Sequence, residues 1–236
     1  MERLQKIIAN SGYTSRRKAE ALILEGKVKV NGKIVDSLGT KVKDNDEIEV
    51  EGNIISKEEK VYYLLNKPRE IITSTSDDKG RKTVVDLIET DKRIYPVGRL
   101  DYDSTGAIFL TNDGEFANII THPKNKIVKT YLAKLDKVPS KEEILLLKKG
   151  IILDHKKIIP DRIKIKKINT NKTCIVEIKI HDGINHEIKR IFSSINIEVL
   201  KLKRESIDIF NIKNIPSGKY RELSIKEVHY IYSLNK

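Results

Sequence analysis

One cysteine, Cys174, stands among 236 residues, so no disulfide can form within the chain, and a reducing cytosol is the expected compartment. It lies in the strand-like run TCIVEIKI, where an inert buried thiol is expected. Long apolar runs are missing too. No stretch reaches the roughly 18 apolar residues a membrane-spanning helix needs. The opening residues, MERLQKIIAN, hold no apolar core of a secretory signal. The glycine-containing turns fit neither a phosphate-binding loop nor a dinucleotide fingerprint. His181 and His186 have no third ligand at metal spacing, so no metal is expected. Internal repeats and low-complexity segments are also absent. What the chain has in excess is positive charge: 46 Lys and Arg against 34 Asp and Glu, a formal net charge of +12. Such a surplus calls for a polyanionic partner, with nucleic acid the first candidate and an anionic membrane surface the second.

The charge is unevenly spread. Residues 1–43 carry ten Lys/Arg against four Asp/Glu, residues 44–59 carry seven acids and one lysine, and residues 61–236 have a surplus of eleven positive charges. A basic head, an acidic neck and a basic body predict two units, residues 1–59 and 60–236, each with enough chain for a core.

In the head, Leu4, Ile7 and Ile8 form the stripe of a short amphipathic helix that Gly12 can stop. Thr14 or Ser15 can cap a second helix running through Ala19, Leu22 and Ile23 to Gly26. KVKVNGKIV then alternates around Asn31-Gly32, a strong hairpin signal, and DEIEVEG supplies another strand. In the body, KVYYLLNKP reads as a strand ending at Lys67-Pro68, followed by a polar loop (residues 73–83) and a short helix in TVVDLIE. EFANIITHP, SKEEILLLKKG and HEIKRIFSSIN have helical character, whereas KIVKTYLAKL, RIKIKKI, TCIVEIKIHDG, VLKLKRESIDIF and GKYREL read as strands. Strands and helices mixed without a βαβ rhythm predict an α+β body on a largely antiparallel or mixed sheet.

Two sets of residues invite a chemical reading. Around the start of the second helix, Arg3, Lys6, Arg16, Arg17 and Lys18 cluster near Ser15, with Lys27 and Lys29 on the hairpin beyond. Cations in a first helical turn oppose the helix dipole, so this placement favours a bound anion such as phosphate over a merely solvated face. The second set is the stretch VGRLDYDSTGAIFLTNDG, residues 97–114. Here Asp101 follows Arg99 by two residues and precedes a polar turn (Asp103, Ser104, Thr105, Gly106), the apolar run Ala107 to Leu110, and a second turn. Asp101 is either a turn aspartate bonding its own backbone or a catalytic carboxylate on a loop that leads into the core.

The residues ERLQKIIANSGYTSRRKAEALILEGKVKVNGKIVDSLGT resemble the S4 RNA-binding domain, with SRRKAE and KVKVNG the most specific pieces. That resemblance implies a helix pair and hairpin gripping structured RNA, with Arg3, Ser15, Arg16, Arg17, Lys18, Lys27 and Asn31 as contacts. The body resembles the RsuA/RluB branch of rRNA pseudouridine synthases through YYLLNKP, the GRLD stretch, KTYLAKL and IHDGINHEIKRIF. ERLQKII, SDDKGRKTV, RIYPVGRLDYD and LKLKRE are most similar to its large-subunit enzymes. By this resemblance Asp101 is the nucleophile, Arg99 helps hold the RNA open, and Tyr131 packs on the flipped uracil and is a candidate acceptor of its C5 proton. Lys189 is then the cation paired with Asp101, with Arg190 its rival, and Lys67 joins the RNA contacts. Where the branch commonly shows N-R-Q-[IV]-R-R, this chain reads Asn185-His186-Glu187-Ile188-Lys189-Arg190, so a lysine replaces a planar fork and an acid replaces an amide.

The residue types suit the reaction. Turning uridine into its C-glycoside breaks N1–C1′, rotates the uracil and rejoins it through C5, with no oxidant, metal or cofactor. A carboxylate serves as covalent catalyst, a neighbouring cation keeps it ionised, and an aromatic ring offers a stacking face. Attack at C6 of the base and at C1′ of the ribose both remain open. The expectation is a cytosolic, cofactor-free enzyme, a monomer as far as the sequence requires, acting on ribosomal RNA or an assembly intermediate. Its substrate is 23S rRNA, with 16S rRNA, or a non-catalytic RNA-binding assembly factor, as the alternatives.

Overall fold

The computed structural model describes residues 1–235 and divides into two compact units. The first comprises Met1–Val61 with the short segments Thr90–Ile94 and Asn112–Gly114. It is built from β1 (Glu2–Arg3), α1 (Leu4–Asn10), α2 (Arg16–Leu24), β2 (Val28–Val30), β3 (Lys33–Ile34), β4 (Lys41–Val42), β5 (Ile48–Val50) and β6 (Asn53–Ile54). The Ser15 hydroxyl accepts from the Lys18 amide at 3.2 Å and caps α2. Asn31 and Gly32 both take positive φ (50° and 78°), as a two-residue hairpin between β2 and β3 requires. Leu4, Ile8, Ala19, Ile23, Val28 and Val50 are buried together as this unit's core.

The second unit contains β7 (Tyr62–Lys67), β8 (Tyr95–Val97), β9 (Thr105–Thr111), α3 (Gly114–Thr121) and β10 (Lys129–Leu135). These are followed by α4 (Lys141–Lys149), β11 (Ile151–Leu153), β12 (Lys156–Ile158), β13 (Arg162–Ile168), β14 (Cys174–Ile180) and α5 (Glu187–Ser193). The chain closes with β15 (Val199–Ile207), β16 (Phe210–Asn211), β17 (Tyr220–Glu222) and α6 (Ile225–Ser233). One mixed sheet runs in the order β13-β14-β10-β15-β9-β7-β17, with β16 on β15 and β8 on β9. Among the strands of the described residues, only β9 and β15 pair in parallel. The α+β class read from the sequence is therefore the observed one. Leu64, Phe109, Phe116, Ile119, Ile207 and Phe210 form one core cluster against this sheet. Cys174, on β14, is buried as expected.

Three local expectations need correction. TVVDLIE forms only a three-residue 3-10 turn, Val85–Leu87. Its Thr83 amide and hydroxyl both bond the Asp86 carboxylate, and the β-branched Thr83, Val84 and Val85 disfavour extending the turn into a helix. Gly106 lies inside β9 rather than in a turn, because the strand begins at Thr105. The β11–β12 hairpin and α6 were not anticipated, although Ser224 and Glu227 form the capping box that marks the start of α6. Among the described residues no helix is long and apolar enough to cross a membrane.

Candidate active site

A cavity of about 540 Å³ opens in the second unit. The loop between β8 and β9 (Gly98 to Asp101), β10 (Lys129, Tyr131), β15 (Leu202, Arg204) and the segment leading into α5 line it. The loop carrying Asp101 is held from beneath. Lys67, the last residue of β7, is fully buried and donates through Nζ to the carbonyls of Pro68 (3.1 Å), Asp101 (3.1 Å) and Ser104 (2.9 Å). Thr73 Oγ1 donates to the Leu100 carbonyl at 2.7 Å. Lys67 thus corrects the sequence expectation: an ammonium spent on three backbone carbonyls inside the protein is a strut for the loop, not an RNA contact. Burial lowers its pKa to about 8. Replacing Lys67 by methionine leaves three carbonyls unpaired, and we expect destabilisation by about 2 kcal/mol or more in denaturant melts. A variant as stable as wild type would contradict the strut.

The Asp101 carboxylate is gripped on one side. Its Oδ2 lies 3.2 Å from Lys189 Nζ and 3.1 Å from His186 Nδ1, both from the α5 region. Oδ1 has no hydrogen-bond partner among the described residues, so one oxygen is anchored and the other is available. Lys189 also bonds both Asp103 oxygens, at 2.9 and 3.0 Å. Burial works against its charge, but these carboxylates outweigh it and raise its pKa. A compact ammonium with three rotatable donors is well suited to bridging two acids. Arg190, the rival, is held by a two-pronged pair with Asp154 at 2.7 and 2.8 Å. His186 was missed as a partner of Asp101; its backbone adopts φ 52°, a left-handed conformation that directs its side chain from the N-terminal end of α5.

Tyr131, on the interior strand β10, is 8% exposed and lines the cavity. Behind it is Arg204, a second residue the sequence reading missed. Arg204 is buried and donates from Nε to the Ala107 carbonyl at 2.6 Å. Its Nη1 donates to the Arg99 carbonyl at 3.3 Å and the Tyr131 hydroxyl at 3.4 Å. One guanidinium therefore ties the Asp101 loop to the aromatic face. Alternation in LKLKRE carried a usable signal, since Leu202 and Arg204 point inward while Lys201 and Lys203 are exposed. Arg99 itself is exposed at the cavity edge.

Two further groups of opposite kind line the cavity, Glu187 buried and Lys129 half-buried. Burial pushes the Glu187 carboxyl up to about 7 and lowers the Lys129 ammonium to about 8. Lys129 Nζ donates to the carbonyls of His181 (3.3 Å) and Asp182 (3.0 Å). Among the described residues no group of three His, Cys, Asp or Glu side chains is placed to hold a metal ion.

In the first unit, Arg3, Arg16, Arg17 and Lys18 are exposed, the last three in the first turn of α2. Lys27 pairs with Glu25 at 2.7 Å, Lys29 with Glu49 at 2.8 Å, and Lys6 with Glu2. The Asn31 amide bonds Asp46 and the Glu47 backbone, each at 3.0 Å, so within this unit it fastens the hairpin to the segment before β5.

Comparison with known proteins matches this architecture. The family model described as RNA pseudouridylate synthase covers residues 61–194, and that of the S4 domain covers residues 2–48. Ribosomal large subunit pseudouridine synthase B of Bacillus subtilis is 50% identical over 236 residues, 99% of this chain and 97% of that one. An RNA pseudouridine synthase of Aquifex aeolicus is 40% identical over 233 residues, 98% of this chain and 93% of that one. A crystal structure described as a pseudouridylate synthase aligns with a TM-score of 0.70 at 30% identity, covering 98% of this chain and all of that one.

Proposed function

The chain belongs to the RNA pseudouridylate synthase family, with an S4 domain at its head, and on that premise we propose that it isomerises one uridine of 23S ribosomal RNA through Asp101. The observation that carries the mechanism is the Asp101 carboxylate, one oxygen anchored by Lys189 and His186 and the other free, on the loop that lines the Tyr131 cavity. The large-subunit assignment is supported by the Bacillus subtilis relative, a ribosomal large subunit pseudouridine synthase.

A uridine in paired RNA must leave its stack before a protein atom can reach it, at roughly a few kcal/mol. Arg99, exposed beside the cavity, is suited to hold the opened strand. Tyr131 gives the extruded uracil a stacking face with a polar tip. The free oxygen of Asp101 then attacks at C1′ or C6 and N1–C1′ breaks. The retained uracil turns, C5 joins C1′, and the bond to Asp101 breaks to return the carboxylate. The C5 proton passes to a base, for which Tyr131 is placed, while N1 takes up a proton. Lys189 and His186 hold Oδ2 in place throughout. Residues 1–59 dock the RNA in this reading and residues 60–236 do the chemistry, in the cytosol where rRNA is made.

The test is a pseudouridine map of rRNA from cells with and without the protein. One 23S position should lose its pseudouridine in the deletion strain. Loss of a 16S position instead overturns the large-subunit assignment, and an unchanged map overturns the rRNA reading. For the head, Arg16→Ala with Arg17→Ala should weaken RNA binding and reduce the slope of log K against log salt by about 2, one counterion per phosphate contact. An unaltered slope in a binding titration removes both arginines from the interface.

A further inference from the structure

Three buried side-chain polar atoms lack a hydrogen-bond partner among the described residues: Gln5 Oε1, Glu187 Oε1 and Arg204 Nη2. The last two belong to residues lining the cavity beside Asp101. Native proteins leave few buried polar atoms unpaired, so two on the wall of one cavity ask for a reason. One is an acceptor and the other a charged donor. Each is fixed through its other atoms. Glu187 Oε2 accepts from the Ile184 amide at 3.2 Å, and Arg204 is anchored through Nε and Nη1 as described above. The terminal torsion of a glutamate is broad, so Oε1 can turn toward an entering group at little cost.

Uracil presents a matching edge. Its imide runs carbonyl, N3–H, carbonyl: one donor flanked by two acceptors. Building on the proposed function, we propose that Glu187 and Arg204 read this edge, Glu187 Oε1 accepting from N3–H and Arg204 Nη2 donating to a flanking carbonyl oxygen. Cytosine has a bare N3 whose lone pair would face the ionised Glu187 carboxylate, so above about pH 7 the pair disfavours it. A site built to bond a substrate N–H discriminates strongly against an analogue without one, because its own groups are then left unpaired. The glutamate at position 187, where related chains commonly carry an amide, is in this view a specificity residue supporting the chemistry of Asp101.

The experiment uses the full-length enzyme and an rRNA fragment bearing the uridine found by the map, synthesised with either uridine or 3-methyluridine at that position. Methylation removes the N3 donor and leaves both carbonyls. Wild type should convert uridine faster than 3-methyluridine by on the order of tenfold to a hundredfold. Glu187→Ala should slow uridine to about the 3-methyluridine rate while leaving the 3-methyluridine rate as in wild type, so that the ratio collapses. If both rates fall in parallel and the ratio persists, Glu187 is merely structural and the inference is overturned. Should the alanine variant fail to fold, Glu187→Met decides, since it fills the site without an acceptor. A folded methionine variant that loses the preference supports the reading, and one that keeps it overturns the reading. A wild-type enzyme that leaves the unmethylated uridine untouched overturns the proposed function itself, an outcome distinct from an unchanged ratio.

Discussion

Asp101→Asn is expected to slow pseudouridine formation by at least about four orders of magnitude, the scale of losing a catalytic nucleophile. An amide keeps the size and shape of the carboxylate, and its oxygen can still accept from Lys189 or His186. What it lacks is the negative charge needed to attack carbon. Because Lys189 also bonds Asp103 at 2.9 Å, it retains a counter-charge when Asp101 becomes neutral. The backbone carbonyl of Asp101 still accepts from Lys67, so the loop keeps its support. The loss should therefore appear in the single-turnover rate, with RNA affinity and melting temperature close to wild type. Expressed in the deletion strain, the variant should fail to restore the missing pseudouridine. A variant within tenfold of the wild-type rate would remove Asp101 from covalent catalysis.

The head was readable because its structure is local. The Ser15 cap bonds a residue three positions on, and the Asn31-Gly32 turn joins adjacent strands. The loop of Asp101 could be placed between strands from its turn and apolar signals, but those residues alone left Asp101 a turn residue or a catalyst, and the family resemblance chose between them. The supports of that loop have no signal of comparable strength. Lys67 meets the Ser104 carbonyl 37 positions away, His186 meets Asp101 across 85, and Arg204 meets the Ala107 carbonyl across 97. Lysine and arginine are seldom fully buried, so a reading of exposure from residue type sends both outward. Only the packing of β7, β9 and β15 side by side turns them into interior struts. The same non-local pairing decides between Lys189 and Arg190. Adjacent on one helix, they point to different acids, and nothing in their order tells which meets Asp101.

Gly106→Ala is expected to be the most damaging small substitution, with destabilisation above about 4 kcal/mol and little folded enzyme recovered. Gly106 pairs with Arg204 where β9 and β15 run in parallel at the centre of the sheet. Its φ is 113°, a region side chains rarely adopt, and a Cβ would lie 2.1 Å from the Arg204 carbonyl oxygen and 2.8 Å from its amide nitrogen. Backbone atoms in a paired strand have no alternative position, so the sheet must open to admit the methyl group. Gly39→Ala supplies the control, because φ there is 84° but no atom lies within 4 Å of the added carbon. That variant carries only the backbone strain, about 1–3 kcal/mol. Denaturant melts should rank Gly106→Ala well below Gly39→Ala, and equal stabilities would contradict the close approach of the two strands. Any Gly106→Ala protein that does fold must displace the β15 backbone at Arg204. Its guanidinium would then leave the Arg99 carbonyl and Tyr131, so even the folded fraction should turn over slowly. A glycine that reads as part of a turn thus sets how closely the strand bearing Arg204 approaches the strand that follows Asp101.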